Sequence, residues 1–352
     1  MYSELTSEAV ELLQQLIAIP SFSREESDVA DFLERYIEIK GYAVSRKGNN
    51  LWTLSPGFDT SRPTILLNSH IDTVKPVSGW IQSPFSPRLE NGKLPGLGSN
   101  DAGASVVCLL HAFFQLTQKQ QAYNLIFAAS AEEEISGKDG IESLLQELPK
   151  IDFAIVGEPT GMNMAVAEKG LMVLDCVSIG IAGHAARNEG ENAIYKALKD
   201  IEWFKNYEFG KKSDLLGAVK MTVTQINAGT QHNVVPDKCT FVVDVRSNEM
   251  YSNEEILAEI RSHISCDVQA RSTRLSSTAT PLENSIVRNG QKLNLTLFGS
   301  PTLSDQALMN FPSLKMGPGN SARSHTAEEF IMVEEIEEGI EIYVNLLDGL
   351  VL

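Results

Sequence analysis

The spacing of apolar residues changes period twice along the chain, and these changes divide it. Near the start, Val10, Leu13 and Ile17 repeat at helical spacing, which predicts a helix over 6–18 that stops before Pro20. Ser23 followed by Glu26 has the spacing of a capping box, which would open a second helix running to about Lys40. Short apolar runs bounded by turn residues follow at 64–69 (TILLNS), 124–130 (NLIFAAS) and 153–157 (FAIVG), with a helical stretch from Gly103 to about Leu116 between the first two. Such alternation predicts parallel strands joined by crossover helices, an α/β layer architecture with a mixed, mostly parallel sheet. After Glu168 the period becomes two: segments 170–181, 216–227 and 238–246 are alternating and rich in Val and Ile. Helical patterns at 191–207 and 252–264 interrupt them, the second opened by Ser252 and Glu255, and a weaker strand covers 267–275. The order strand, helix, strand, strand, helix, strand is the ferredoxin-like βαββαβ pattern. Beyond Pro281 the first rhythm returns, with a helix over 282–291, strands at 295–299 and 313–317, a helix from Ser304 and a last helix from Val333. The expectation is a discontinuous α/β domain (1–169 and 281–352) carrying an inserted domain (170–280), with the polar stretch 271–281 as linker.

Composition narrows the partners. The chain has 352 residues, enough for two domains, with 43% hydrophobic and 21% charged residues and a net charge of -17. That charge argues against nucleic acid or an anionic membrane surface, both of which select Lys and Arg patches. Cys108, Cys176, Cys239 and Cys266 lie in apolar segments without a CxxC pattern, so they read as small buried hydrophobes in a reducing compartment. The first nineteen residues are amphipathic with early acids, unlike a signal peptide, and no apolar run reaches membrane-spanning length. A cytoplasmic location is expected.

Candidate chemistry collects where strands should end, which is where open α/β sheets place functional groups. TILLNS leads to His70, with Asp72 two residues on; NLIFAAS leads to Glu132, Glu133 and Glu134; FAIVG leads to Glu158. The loop GLGSND delivers Asp101 ahead of a helix, and His325 follows the apolar SLKM segment. Each has a plain alternative, such as an N-cap for Asp101 or a structural role for His70. Together, two histidines and three carboxylates suit a pair of zinc ions with one carboxylate bridging, and Asp101, on a glycine loop, is the natural bridge. Asp72 is suited to accept the other ring N–H of His70 and fix its tautomer. Neighbours in an extended segment point opposite ways, so the three glutamates need not share one role.

With these residues in order, the chain resembles the zinc-dependent aminoacylase and acetylornithine deacetylase family, which includes succinyl-diaminopimelate desuccinylase and glutamate carboxypeptidase. SHIDTV, GLGSNDAG, AEEE, GEPT, GHAAR, HNVVPDKC, DVR and the late histidine loop carry the resemblance across nearly the whole chain. It implies that His70, Asp101 and Glu158 hold one zinc and that Asp101, Glu134 and His325 hold the other. It further implies Asp72 as the residue orienting His70 and Glu133 as general base, with Glu132 and Glu133 as the alternative register for base and ligand. The inserted domain is expected to act as a lid and to support a homodimer. His184 would then stabilise the oxyanion across the dimer with help from Asn233, Arg246 would clamp a substrate carboxylate, and the loop with Gly317, Gly319 and Ser321 would bind substrate. Cobalt or manganese could replace zinc. Leu97 and Gly103 depart from the family's common Arg and Lys, which leaves the branch open. The implied reaction is removal of the acyl group from an N-acyl amino acid, with N-acetyl- or N-succinylornithine in arginine biosynthesis as best guess. Alternatives are succinyl-diaminopimelate or acyl-lysine deacylation, a dipeptidase or carboxypeptidase, and an inactive small-molecule-binding relative. His111, His232 and His263 read as structural.

Overall fold

The computed structural model describes residues 3–352. It divides into two compact units: Met1–Val166 with Thr280–Phe298 and Ser304–Leu352, and Ala167–Ala279 with Gly299–Leu303.

The first unit is built on a mixed sheet whose core is parallel. Thr64–His70 lies between Asn124–Ser130 and Phe153–Gly157, parallel to both, and Ser313–Lys315 extends the sheet parallel to Phe153–Gly157. Asn50–Leu54 runs antiparallel on the Asn124–Ser130 side and pairs in turn with Val44–Lys47; Met164–Glu168 runs antiparallel beside Ser313–Lys315. Every residue of the strands Thr64–His70, Asn124–Ser130 and Phe153–Gly157 is buried, which is why they read as continuous apolar runs. Alternate side chains serve two faces. Ile65 and Leu67 join the larger core with the helices Glu4–Ile17, Ser27–Ile39, Ala104–Leu116 and Val333–Leu347, whereas Leu66, Ile126 and Ala154 pack with Ile141, Leu144 and Met309.

The second unit contains a four-stranded antiparallel sheet ordered Lys220–Ala228, Lys238–Ser247, Gly170–Ile179, Asp267–Ala270. With the helices Ala193–Asn206 and Asn253–His263 this is the βαββαβ arrangement the alternation predicts. Burial alternates strictly along Gly170–Ile179, and Met172, Leu174 and Cys176 pack with Ala197, Phe204, Ile256 and Ile260. The Ser252–Glu255 capping box is formed.

Several expectations need correction. Ser23 and Glu26 make no capping box: Glu26 is itself the N-cap without a side-chain cap bond, and the Ser23 hydroxyl donates to Asp72. The helix expected from Ser304 is only a short 3-10 turn, Asp305–Leu308, held by the Ser304 hydroxyl. The strand expected over 216–227 starts at Lys220, and that over 267–275 ends at Ala270. The strands Val44–Lys47, Asn50–Leu54 and Met164–Glu168 were not anticipated. Among the described residues no helix is long and apolar enough to cross a membrane.

Candidate metal centre

Three of the candidate donors stand at or just beyond the carboxyl ends of the parallel strands. His70 closes its strand with the ring buried; Nδ1 lies 2.9 Å from the Asp72 main-chain carbonyl and 3.5 Å from Asp72 Oδ1. The tautomer is therefore set first by the Asp72 backbone, with the carboxylate behind it, and this leaves Nε2 facing the site. Asp72 has a further task. Its Oδ2 accepts the Ser23 hydroxyl at 2.7 Å, and its two oxygens accept the backbone N–H groups of Glu133 (3.0 Å) and Glu134 (3.2 Å). One aspartate thus ties the His70 strand to the glutamate turn.

Asp101 reaches the same space from the turn Ser99–Gly103, which precedes the Ala104–Leu116 helix. Gly98 takes a left-handed φ of 76°, and a Cβ there would strike Thr73, so this position requires glycine. The Asp101–Ala102 peptide is cis. Asp101 Oδ1 lies 3.3 Å from His70 Nε2, and Oδ2 lies 3.7 Å from His325 Nε2. Each carboxylate oxygen faces a different histidine, the disposition a bridging ligand requires.

The three glutamates do not continue as an extended segment. Glu132 adopts a left-handed φ of 55°, and Glu133–Ile135 form a 3-10 turn. The kink sends the side chains to separate places. Glu132 is buried, 3.8 Å from Arg24 Nε, with its amide donating to Glu26. Glu134 Oε2 contacts His325 Nε2 at 2.9 Å. Glu133 lies close enough to Glu158, His70 and Asp305 for their charges to act on it. Glu158 Oε1 is 3.9 Å from His70 Nε2. Two trios result, His70–Asp101–Glu158 and Asp101–Glu134–His325, each with one donor atom per residue and these atoms within 4.8 Å of one another.

Without a cation this cluster is electrostatically crowded. Burial, then the Asp101 charge, pushes the Glu158 carboxyl up to about 8, and burial with Glu158 beside it pushes Glu133 well above its ordinary range. Burial opposes a charged His70 ring, but Asp101 and Asp72 outweigh it and hold its pKa high. Glu134 raises His325 to about 9. Two imidazoles and three carboxylates at converging distances, with the Glu158 carboxyl forced up by burial and by Asp101 beside it, fit a pair of divalent cations of nitrogen and oxygen preference.

The remaining expected residues divide between the units. In the second unit, His184 and Asn233 are brought together: Gly183–His184 pairs with Val234–Val235, and the Ala185 amide donates to the Asn233 carbonyl at 3.0 Å. Arg246 in this unit makes a forked ion pair with Asp244 (2.9 and 3.1 Å), so its fork is already engaged. In the first unit the Gly317 amide donates to Thr160 Oγ1, and a Cβ on Gly317 would collide with the Glu158 backbone. Its glycine is thus explained by packing against Glu158, and its amide is not free for a substrate carboxylate. Gly319 has φ 87° and abuts the Asn100 side chain; Ser321 is exposed.

Three buried polar residues around the centre were missed in the sequence. Glu329 is 2% exposed and accepts the backbone amides of Gly98, Asn100 and Asp101 at 3.2, 2.9 and 2.9 Å. Burial lifts its pKa to about 7 although these amides oppose the shift. Asn100, fully buried, holds the Asn320 main chain through both ends of its amide. Asp305 accepts Ser130 Oγ and Asn68 Nδ2 at 2.6 and 2.9 Å, with its pKa raised to about 6 by burial. In sequence Asn100 adjoins Asp101 and Glu329 follows His325 by four residues, whereas nothing near Asp305 marks it, since lone polar residues in loops carry no period.

The model of peptidase family M20/M25/M40 matches residues 66–349. The chain is 27% identical to a putative succinyl-diaminopimelate desuccinylase of Mycobacterium tuberculosis, covering 98% of this chain and 99% of that one. It is 28% identical to a [LysW]-lysine/[LysW]-ornithine hydrolase of Sulfurisphaera tokodaii, covering 97% and 95%. Its fold is similar to that of the aminopeptidase PepT from Bacillus cereus, with a TM-score of 0.80 at 20% identity over 98% of both chains.

Proposed function

Because the chain belongs to peptidase family M20/M25/M40 and is thereby a metallohydrolase acting on amide bonds, we propose that it removes the acyl group from an N-acyl diamino acid, N-acetyl- or N-succinylornithine first among them. The observation that carries the hydrolytic reading is Asp101, whose two oxygens face His70 and His325 separately. Two zinc ions, when bound, supply an acidified water and a Lewis acid for the amide carbonyl. His70, Asp101 and Glu158 would hold one, and Asp101, Glu134 and His325 the other. Glu133 Oε takes the proton of the attacking water and returns it to the leaving nitrogen. A carboxyl lifted by burial suits both halves of that transfer. Asp72 keeps the His70 ring oriented and the Glu133 amide in place. Products are a carboxylate and a free amine.

The diamino-acid choice has support from the relatives. One is named for diaminopimelate and the other for lysine and ornithine. We assign His184, with Asn233, to the oxyanion, supplied by a second copy of the chain. A homodimer through the second unit suits its open edge strand Lys220–Ala228, with Ile226 exposed, and the exposed Tyr195 and Leu198 on its helix. Free, mostly buried cysteines suit a cytoplasmic enzyme. The test is a panel of acetylornithine, succinylornithine, succinyl-diaminopimelate, acyl-lysine and simple dipeptides, with metal content measured on the same sample. Cleavage of an N-acylornithine at least about tenfold faster in kcat/KM, a difference of about 1.4 kcal/mol, is expected. Preference for dipeptides would overturn the substrate assignment, and a metal-free protein inert to all would favour a binding role.

A further inference from the structure

The two loops that carry Asp101 and His325 hold each other, and the holding is reciprocal. From the first loop, buried Asn100 reaches the second: its Oδ1 accepts the Asn320 amide at 2.9 Å, and its Nδ2 donates to the Asn320 carbonyl at 3.2 Å and to Ser324 Oγ at 3.3 Å. From the second loop, buried Glu329 reaches the first and accepts the amides of Gly98, Asn100 and Asp101. His325 is bracketed, with Asn320 and Ser324 gripped on one side of it and Glu329 gripping on the other. Gly319 sits so close to Asn100 that a Cβ would lie 2.3 Å from Oδ1, so the fit leaves no slack.

The two trios depend on this contact unequally. His70 and Glu158 come from adjacent parallel strands, in register at Ser69 and Gly157, and their spacing is set by the sheet. His325 has no such support: it lies in a loop with a left-handed φ of 59° and a half-exposed side chain. The backbone joins the two loops from Glu329 onward, where the Gly96 amide donates to the Glu329 carbonyl and Phe330–Met332 pairs with Lys93–Pro95; nearer His325 the side chains of Asn100 and Glu329 join them. We propose that Asn100 and Glu329 are positioning residues forming a clasp that sets the affinity of the His325-side cation site separately from that of the His70-side site. This rests on the two-cation reading above, which assigns neither residue a role.

The test uses the full-length protein, stripped with chelator and titrated with Zn2+ against a competing chromophoric chelator. Wild type should take up two equivalents. In Glu329→Gln one end of the side chain becomes a donor facing a backbone N–H. The variant should keep the tighter site within about threefold and weaken the other by about 10–100-fold, the range found when partners of metal ligands are changed. Its kcat should recover as free zinc is raised, with KM unchanged. Asn100→Asp, which cannot donate to Asn320 or Ser324, should do the same with Glu329 intact, and it decides the matter if circular dichroism shows Glu329→Gln unfolded. Equal weakening of both sites, or of neither, in a folded variant overturns the clasp alone. Wild type binding fewer than two zinc ions overturns the two-cation reading and the clasp with it.

Discussion

The two histidines of the candidate centre are chemically alike and structurally opposite. His70 ends a strand buried along its whole length, with its ring oriented by Asp72 and 1% of its side chain exposed. His325 lies in a loop, with 52% of its side chain exposed and Glu134 as its contact at 2.9 Å. The sheet places one donor rigidly through backbone hydrogen bonds that the core already requires. The loop places the other through the side chains of Asn100 and Glu329, with backbone pairing only farther along, between Phe330–Met332 and Lys93–Pro95. A dinuclear site built this way has one half whose geometry comes with the fold and another that depends on dedicated polar contacts.

Glu133, within reach of the charges of both trios yet a member of neither, gives the largest expected effect. Glu133→Gln should lower kcat by about 10²–10⁴-fold with two zinc ions still bound by elemental analysis, whereas Glu132→Gln stays near wild type. The opposite ranking would exchange the roles of the adjacent glutamates. A contrast in stability comes next. His70→Ala leaves buried Asp72 and Asp101 without their partner and should destabilise the metal-free protein by about 3 kcal/mol in denaturant titration. His325→Ala, which breaks a half-exposed pair with Glu134, should cost no more than about 1 kcal/mol. Equal losses would erase the distinction between sheet-held and loop-held donors. A histidine outside both trios provides the smallest effect and a control for acid sensitivity. His111 is buried in the Ala104–Leu116 helix and its Nδ1–H donates to the Val107 carbonyl at 2.8 Å, with its pKa pushed down to about 4 by burial. Its folded pKa is below the unfolded one. The unfolded chain therefore takes up a proton first, and stability falls as pH drops from about 6.5 towards 4. His111→Gln should flatten the metal-free stability profile in that window by at most about 3 kcal/mol. An unchanged profile would assign the acid sensitivity to the centre itself.

What could be read from the sequence follows the same division. His70 and Glu158 stood out because each ends or follows an apolar run, and a buried parallel strand announces itself by composition. The βαββαβ unit was legible because one face of its sheet is covered, which leaves strict alternation along Gly170–Ile179. Val44–Lys47 and Asn50–Leu54, short strands on one side of the sheet, lack that signal. The Ser23–Glu26 spacing satisfied a local rule, yet both side chains serve distant partners, Asp72 for one and Asn49 and Glu132 for the other. Tertiary demand overrode the local motif there. Arg246 and Asp244 face each other only because i and i+2 share a strand face, so their pairing becomes visible once the strand is known. Glu329 and Asn100 act through loop backbone, which leaves no periodic trace.

The contact between Glu134 and His325 joins residues 191 positions apart, and this separation orders events during synthesis. A ribosome makes His70, Asp101, Glu134 and Glu158 long before it reaches His325. A chain cut between Glu158 and His325 therefore carries every member of one trio and lacks a member of the other, so only half of the paired arrangement can form in it.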